Sequence, residues 1–339
     1  MNDPVAAPYA DDFVLGTPLP LAPSITLDAG LAAVYQGITG DPLRLALSDV
    51  DSANTAGAGG RVVNPGLVLQ VAIGQSTVAT KRVIANLFYR SVALHRQVRI
   101  GDTLTTEVTP VALELTKPNP RGRRAKVLLR MRTTDQLGRV VAEFERLALL
   151  PCRDPDSVTV AGTIGTATDD TPLDDYLRFV PDWRLDSFPT AFDRLTVDSD
   201  PLSDTVSNAL ELVRLTQNQA AAHRDPARGI DGKRLVYGGH AIGLAQASLG
   251  RVVPGLVTLL GWRSCDHLAP VFEGDVLDFR HEELDRLAVA PGAEVIGFRV
   301  LVTVRSGEPG GGGRDSEVLD WRPVVLARTH TNASSGGTP

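Results

Sequence analysis

Val63-Asn64-Pro65-Gly66-Leu67-Val68-Leu69-Gln70-Val71 and Val236-Tyr237-Gly238-Gly239-His240-Ala241-Ile242-Gly243-Leu244 are the two stretches that decide the fold. They lie 173 residues apart and share a valine lead-in, a glycine and an apolar run. At the same offset Tyr89-Arg90-Ser91 falls on Trp262-Arg263-Ser264, and Gly101-Asp102-Thr103-Leu104 on Gly274-Asp275-Val276-Leu277. Three gapless matches at one offset mark an internal repeat. The chain reads as two copies of one fold.

Each copy carries the same succession of signals. A short helix-like stretch leads into a loop rich in Gly, Asp and Asn, and a glycine then opens an apolar helix, Leu67–Thr77 in the first copy and Ala241–Leu249 in the second. Both helices are apolar on most faces, which suits burial rather than a surface position. β-Branched and aromatic runs follow at Val83–Tyr89 and Val257–Trp262. Past Gly101-Asp102 and Gly274-Asp275, which read as local turns, alternating runs return at 104–115, 125–133 and 140–150, then at 276–284, 295–304 and 318–327. Period-two alternation marks strands with one buried face. The expected fold class is α+β, a double hotdog: two tandem domains, each a long antiparallel sheet wrapped around a central helix. Residues 1–153 are the N-terminal domain, 154–175 a linker rich in Asp, Thr, Gly and Pro, 176–330 the C-terminal domain, and 331–339 a disordered tail. Gly307–Gly313 reads as an exposed hairpin loop, since no Gly-Lys-Ser/Thr ending follows it.

Composition narrows the function classes. With 43% hydrophobic and 22% charged residues, a chain of 339 residues can bury a sizeable core. The net charge of -6 is spread among interspersed acids and bases, which excludes the basic face that a nucleic-acid partner calls for. Cys152 and Cys265 lie in different copies without CxxC spacing, so neither a disulfide framework nor a metal site is expected. No run of 18 apolar residues suggests a membrane span. The segment Met1–Asp12 is acidic and lacks the apolar core of a secretory signal, so a cytoplasmic location is expected.

Among the six histidines, His223 stands apart by its company, Leu215-Thr216-Gln217-Asn218-Gln219-Ala220-Ala221-Ala222-His223-Arg224-Asp225-Pro226. The helical run is expected to end near Ala222, so that His223 enters the loop before the buried helix. Asn218, five residues upstream, can converge with it on the N-terminus of the helix beginning near Gly239. Free N–H groups and the helix dipole there can meet charge developing on a carbonyl oxygen. Gly238 and Gly239 let a ligand approach the backbone closely, with Tyr237 and His240 beside them as candidate substrate contacts. Histidine suits proton transfer near neutrality; a loop histidine satisfied by Asp225 is the plainer alternative. Arg90 and Arg263, equivalent positions of the repeat, are candidate cations for a substrate carboxylate. Arg121, Arg123 and Arg124 read as a solvated loop.

The pattern Asn218-x4-His223-x-Asp225 followed by Val236-Tyr237-Gly238-Gly239-His240 resembles the MaoC-like, hydratase-2 group of double-hotdog enzymes. Arg263-Ser264 with His267 and Pro270, Phe272 with Gly274-Asp275, and Val318-Leu319-Asp320 extend the likeness over roughly residues 10–330, most closely to the group's mesaconyl-CoA hydratase branch. The resemblance implies hydration or dehydration of an acyl-CoA thioester, with coenzyme A entering as part of the substrate, no separate cofactor, and a homodimer. His223 matches the family's catalytic histidine, and Gly239 matches the residue whose amide polarises the thioester carbonyl. Asn218 departs from the usual catalytic Asp, and an amide cannot act as a base; the same exchange is found in the mesaconyl-CoA hydratase branch. In the first copy Thr39-Gly40-Asp41 resembles the start of the motif, but Arg44, Leu45 and Ala46 stand where its histidine belongs. That copy is expected to shape the pocket without catalysing. A hotdog thioesterase and a non-catalytic acyl-CoA-binding protein stay open as alternatives.

Overall fold

The computed structural model describes residues 7–117, 122–157, 160–166, 171–305 and 315–330. Its strands are β1 (Ile25–Thr26), β2 (Ala85–Leu94), β3 (Thr103–Leu115), β4 (Arg124–Thr134), β5 (Val140–Pro151), β6 (Asp204–Thr205), β7 (Leu256–His267), β8 (Val276–Ala290), β9 (Ala293–Val304) and β10 (Ser316–Arg328). The helices are α1 (Ala29–Thr39), α2 (Arg44–Leu47), α3 (Asp49–Ala56), α4 (Pro65–Ser76), α5 (Ala209–Leu215) and α6 (Gly238–Val252).

The strands form one sheet in the order β1-β3-β4-β5-β2-β7-β10-β9-β8-β6, antiparallel throughout. The first repeat contributes β3-β4-β5-β2, and the second contributes β8-β9-β10-β7 in the matching order. They meet edge to edge along β2 and β7, where Arg90 pairs with Ser264. Arg263 and Ser264 are the repeat equivalents of Arg90 and Ser91, so this register relates the copies by a two-fold axis. Each copy thereby hides the edge that the other would leave open.

The two central helices lie inside this curved sheet. Every residue of α4 is buried, as is α6 from Gly239 through Leu249. A single apolar cluster takes in Leu67 and Ile73 of α4, Ile242 and Leu249 of α6, and Phe144, Trp262 and Trp321 of both sheet halves. The rings of Trp262 and Trp321 cross edge to face at 5.8 Å, a geometry that favours aromatic pairs. The two copies therefore share one core. Among the described residues no helix is long and apolar enough to cross a membrane.

Three local expectations change. Both central helices start earlier than their apolar runs, because Asn64 caps α4 ahead of Pro65 and the glycine pair is itself helical in α6. At the end of the expected linker Leu173 is buried, in one cluster with Tyr176 and Phe179 at the start of the C-terminal domain and with Val257 and Val324. The helix before His223 stops at Leu215, not near Ala222. Residues 158–159 and 167–170 of the linker, the loop 307–313 and the tail 331–339 lie outside the described residues.

Candidate active site

The early end of α5 is what positions Asn218. Gln217 adopts the left-handed conformation (φ 59°), its N–H bonds the Arg214 carbonyl, and the Asn218 N–H bonds the Val213 carbonyl at 2.9 Å. This is the paired-bond helix stop that glycine usually makes, here carried by glutamine. Asn218 is fully buried, and its Oδ1 accepts the Ala220 N–H at 2.9 Å. The loop is held against the first repeat: the Gln219 N–H donates to Thr77 Oγ1 at 2.7 Å, and the Ala221 N–H donates to the Lys81 carbonyl. Gly74 makes the approach possible, since a Cβ there would collide with the Thr216 carbonyl.

One 3-10 turn further on stands His223. Its Nδ1 lies 3.0 Å from the Leu235 carbonyl oxygen. A carbonyl can only accept, so Nδ1 carries the hydrogen and Nε2 keeps a free lone pair. Burial pushes the His223 pKa down to about 4 against the pull of the Leu235 bond, and the positive charges of Arg146 and Arg234 lower it further. The imidazole is therefore neutral at pH 7. Its ring lies 5.6 Å from that of Tyr237.

Both groups line a cavity of about 340 Å³ that also takes in Tyr237, Gly238 and Ala241 at the start of α6. The repeat shows how that helix end was prepared. In the first copy Asn64 accepts the Gly66 N–H and Pro65 has no N–H to offer, so the α4 end is closed. In the second copy Tyr237 supplies no side-chain cap. The Gly238 and Gly239 amides consequently have no acceptor among the described residues. The first copy is plugged as well: buried Asp41 accepts from Asn64 Nδ2 at 2.7 Å, from Gln246 Nε2 at 2.6 Å and from the Leu43 N–H at 3.0 Å. Burial raises its pKa even so.

Not every expected residue meets here. Asn218, His223, Tyr237 and Gly238 line the cavity; Gly239, His240, Arg90 and Arg263 do not. The Gly239 carbonyl takes a hydrogen bond from Gln70 Nε2 on α4. His240 is wholly buried with neither ring nitrogen bonded among the described residues. Arg90 is engaged by Glu145 at 2.8 Å and by the Thr166 carbonyl. Arg263 grips Asp285 through both terminal nitrogens, at 3.0 and 2.7 Å, and bonds the Thr171 carbonyl. Both arginines are held by carboxylates outside the cavity, Arg90 by Glu145 directly opposite it on β5 and Arg263 by Asp285, which reaches it from β8 beside Gly297 of β9.

Two residues that the sequence did not single out for the site do line it. The His267 ring, at the end of β7, packs against the Gly238 backbone and lies 5.9 Å from the Tyr89 ring. Burial pushes its pKa down to about 4, helped by the charge of Arg146 and by His223. Arg146 comes from β5, where alternation places it inward in series with Ala142, Phe144, Ala148 and Leu150 of the core. A charge at an inward position of an alternating strand was the available signal.

No model of a known protein family matches the chain. It is similar to mesaconyl-CoA hydratase of Cereibacter sphaeroides, 27% identical over 318 residues that span 90% of this chain and 91% of that protein. It is also similar to the solved structure of Rv0216 from Mycobacterium tuberculosis, described as a conserved hypothetical protein with a double hotdog fold. That protein is 40% identical, with a TM-score of 0.82 over 94% of this chain and 98% of its own. A structure of a MaoC domain protein dehydratase from Chloroflexus aurantiacus superposes with a TM-score of 0.83 at 22% identity, over 96% of this chain and 98% of the other.

Proposed function

Because this chain belongs to the MaoC-like double-hotdog family, we propose that it adds water reversibly across the α,β double bond of an enoyl-CoA thioester. The observation that carries this is the tie between His223 Nδ1 and the Leu235 carbonyl. It leaves an unprotonated Nε2 in the cavity that holds Asn218 and the open end of α6. A base, a water-orienting amide and a carbonyl-polarising helix end then act together.

In the hydration direction, Asn218 Nδ2 donates to the water oxygen and His223 Nε2 takes one of its protons as that oxygen bonds the β-carbon. The displaced π electrons move onto the thioester oxygen, where the amides at the start of α6 and the dipole of that helix stabilise the charge. The Nε2 proton then passes to the α-carbon as the carbonyl re-forms. His267, neutral and set against Gly238, is a further N–H donor for the same oxygen. Dehydration reverses each step.

The family resemblance supports a cytoplasmic homodimer that needs no cofactor beyond the coenzyme A of its substrate. The mesaconyl-CoA hydratase relative supports a branched dicarboxylic thioester such as mesaconyl-CoA. A thioesterase would want a carboxylate or serine as nucleophile or base, and no Asp, Glu or Ser is among the described residues lining the cavity. The test is absorbance at the enoyl-thioester band with mesaconyl-CoA and crotonyl-CoA, run beside a free-thiol assay. Loss of the band without thiol release is the expected result, and thiol release would sink the hydratase reading. His223→Ala should lower the rate by about 10²–10⁴-fold, the usual worth of a positioned general base.

A further inference from the structure

Arg146 is a buried guanidinium, 3% exposed, with no carboxylate partner among the described residues. Its Nε bonds Asn86 Oδ1 at 2.7 Å, one terminal nitrogen bonds Ser76 Oγ at 3.0 Å, and the other bonds Thr80 Oγ1 at 2.9 Å. All three partners are neutral. A guanidinium has five N–H donors, so two are left over beside the cavity that Arg146 lines. The Asn86 side-chain NH₂, next to it, also has no acceptor among the described residues. Buried charges are ordinarily paired, as the protein's other deep arginine, Arg263, is.

The fold itself does not require an arginine here. Arg146 pairs with Tyr89 across β5 and β2. The repeat equivalent of Tyr89 is Trp262, whose partner on β10 is Pro323. The second copy builds the same position without charge or donor. The arginine belongs to the copy whose own helix end is closed, and it serves the cavity that opens in the other.

We propose that Arg146 is an anion receptor for the far end of the acyl group, so that the preferred substrate carries a carboxylate on its acyl chain. The proposal rests on the reading of this cavity as the acyl-thioester site. A cavity of about 340 Å³ has room for a short acyl chain but not for the nucleotide of coenzyme A as well. A buried arginine in its wall therefore meets the acyl end and not the phosphates. A planar fork on a carboxylate is the contact that guanidinium makes best.

The test uses two saturated thioesters of equal length that cannot be hydrated, succinyl-CoA and butyryl-CoA, titrated calorimetrically into the full-length protein. Wild type is expected to bind succinyl-CoA about 10- to 100-fold more tightly, the range for a hydrogen bond to a charged group. Arg146→Met should erase that preference and leave butyryl-CoA affinity close to wild type, with Arg146→Lys retaining part of it. Equal affinities in wild type would overturn the proposal without any variant. So would an Arg146→Met that weakens both ligands alike, the mark of a phosphate contact or of mere packing. A succinyl preference in a protein that hydrates no enoyl thioester would keep the receptor and remove the hydratase. Hydration of crotonyl-CoA without a succinyl preference would do the reverse.

Discussion

The imidazole of His267 rests directly on Gly238, so closely that a Cβ at position 238 would stand only 2.3 Å from its Cε1. Gly238→Ala must therefore move either the histidine or the start of α6. The substitution should cost about 1–3 kcal/mol, as overpacking does, and lower kcat/KM by roughly 10²-fold, as a misplacement of about 1 Å can. Adding His267→Ala clears the clash and should return the thermal midpoint toward wild type. A fully active Gly238→Ala protein would remove this helix end from the site.

Asn218→Asp keeps the shape of the loop, since a carboxylate oxygen can accept the Ala220 N–H as Oδ1 does now. It places a negative charge in the cavity with His223, whose pKa burial holds at about 4. A nearby anion favours imidazolium and raises that pKa. The base works unprotonated, so the acidic limb of the kcat/KM profile should move to higher pH. An unmoved limb would mean that positions 218 and 223 do not act on one another.

Burial holds four histidines, His223, His240, His267 and His281, near pKa 4 in the folded state. In the unfolded chain each titrates near 6.5, so between pH 6.5 and 4 the unfolded state binds more protons. Stability is then lost as pH falls through that window, while buried Asp41, whose pKa is raised, acts in the opposite direction. Urea unfolding at pH 7.5, 6.0 and 5.0 should show midpoints falling steadily. A midpoint unchanged from 7.5 to 5.0 would show these histidines to be reachable by protons in the folded state.

Gln217 holds a left-handed conformation that glycine adopts without strain. Gln217→Gly should raise stability by roughly 0.5–1 kcal/mol, because the relief of about 1–2 kcal/mol is partly offset by greater freedom in the unfolded chain. Activity should hold, as Asn218 stays where the helix stop puts it. A lower thermal midpoint would mean that the glutamine side chain, not its backbone, fixes the loop.

The strands and the repeat were legible because alternation and a constant offset are local properties of the sequence. His223 was legible from its neighbours Asn218 and Asp225. Arg90 and Arg263 misled, because Glu145 comes from the neighbouring strand β5 and Asp285 from β8, three places away in the sheet, and only the folded sheet brings each pair together. Arg146 and His267 reach the cavity by the same long-range pairing. The stop of α5 at Leu215 was hidden by a glutamine doing what glycine usually does. The difference between Gly238 and Gly239 is one step around a helix, set by packing against Gln70 and His267.

The wall of the cavity belongs to both repeats: Tyr89 and Arg146 come from one, Asn218 and His223 from the other. In a pair of identical unfused subunits, any change made to one wall would also be made at the sister site, and neither half could give up a duty. Joining the copies in one chain removes that bond. Severed between the repeats, the gene should complement only when both pieces are expressed together, and lesions in either piece should give one and the same phenotype.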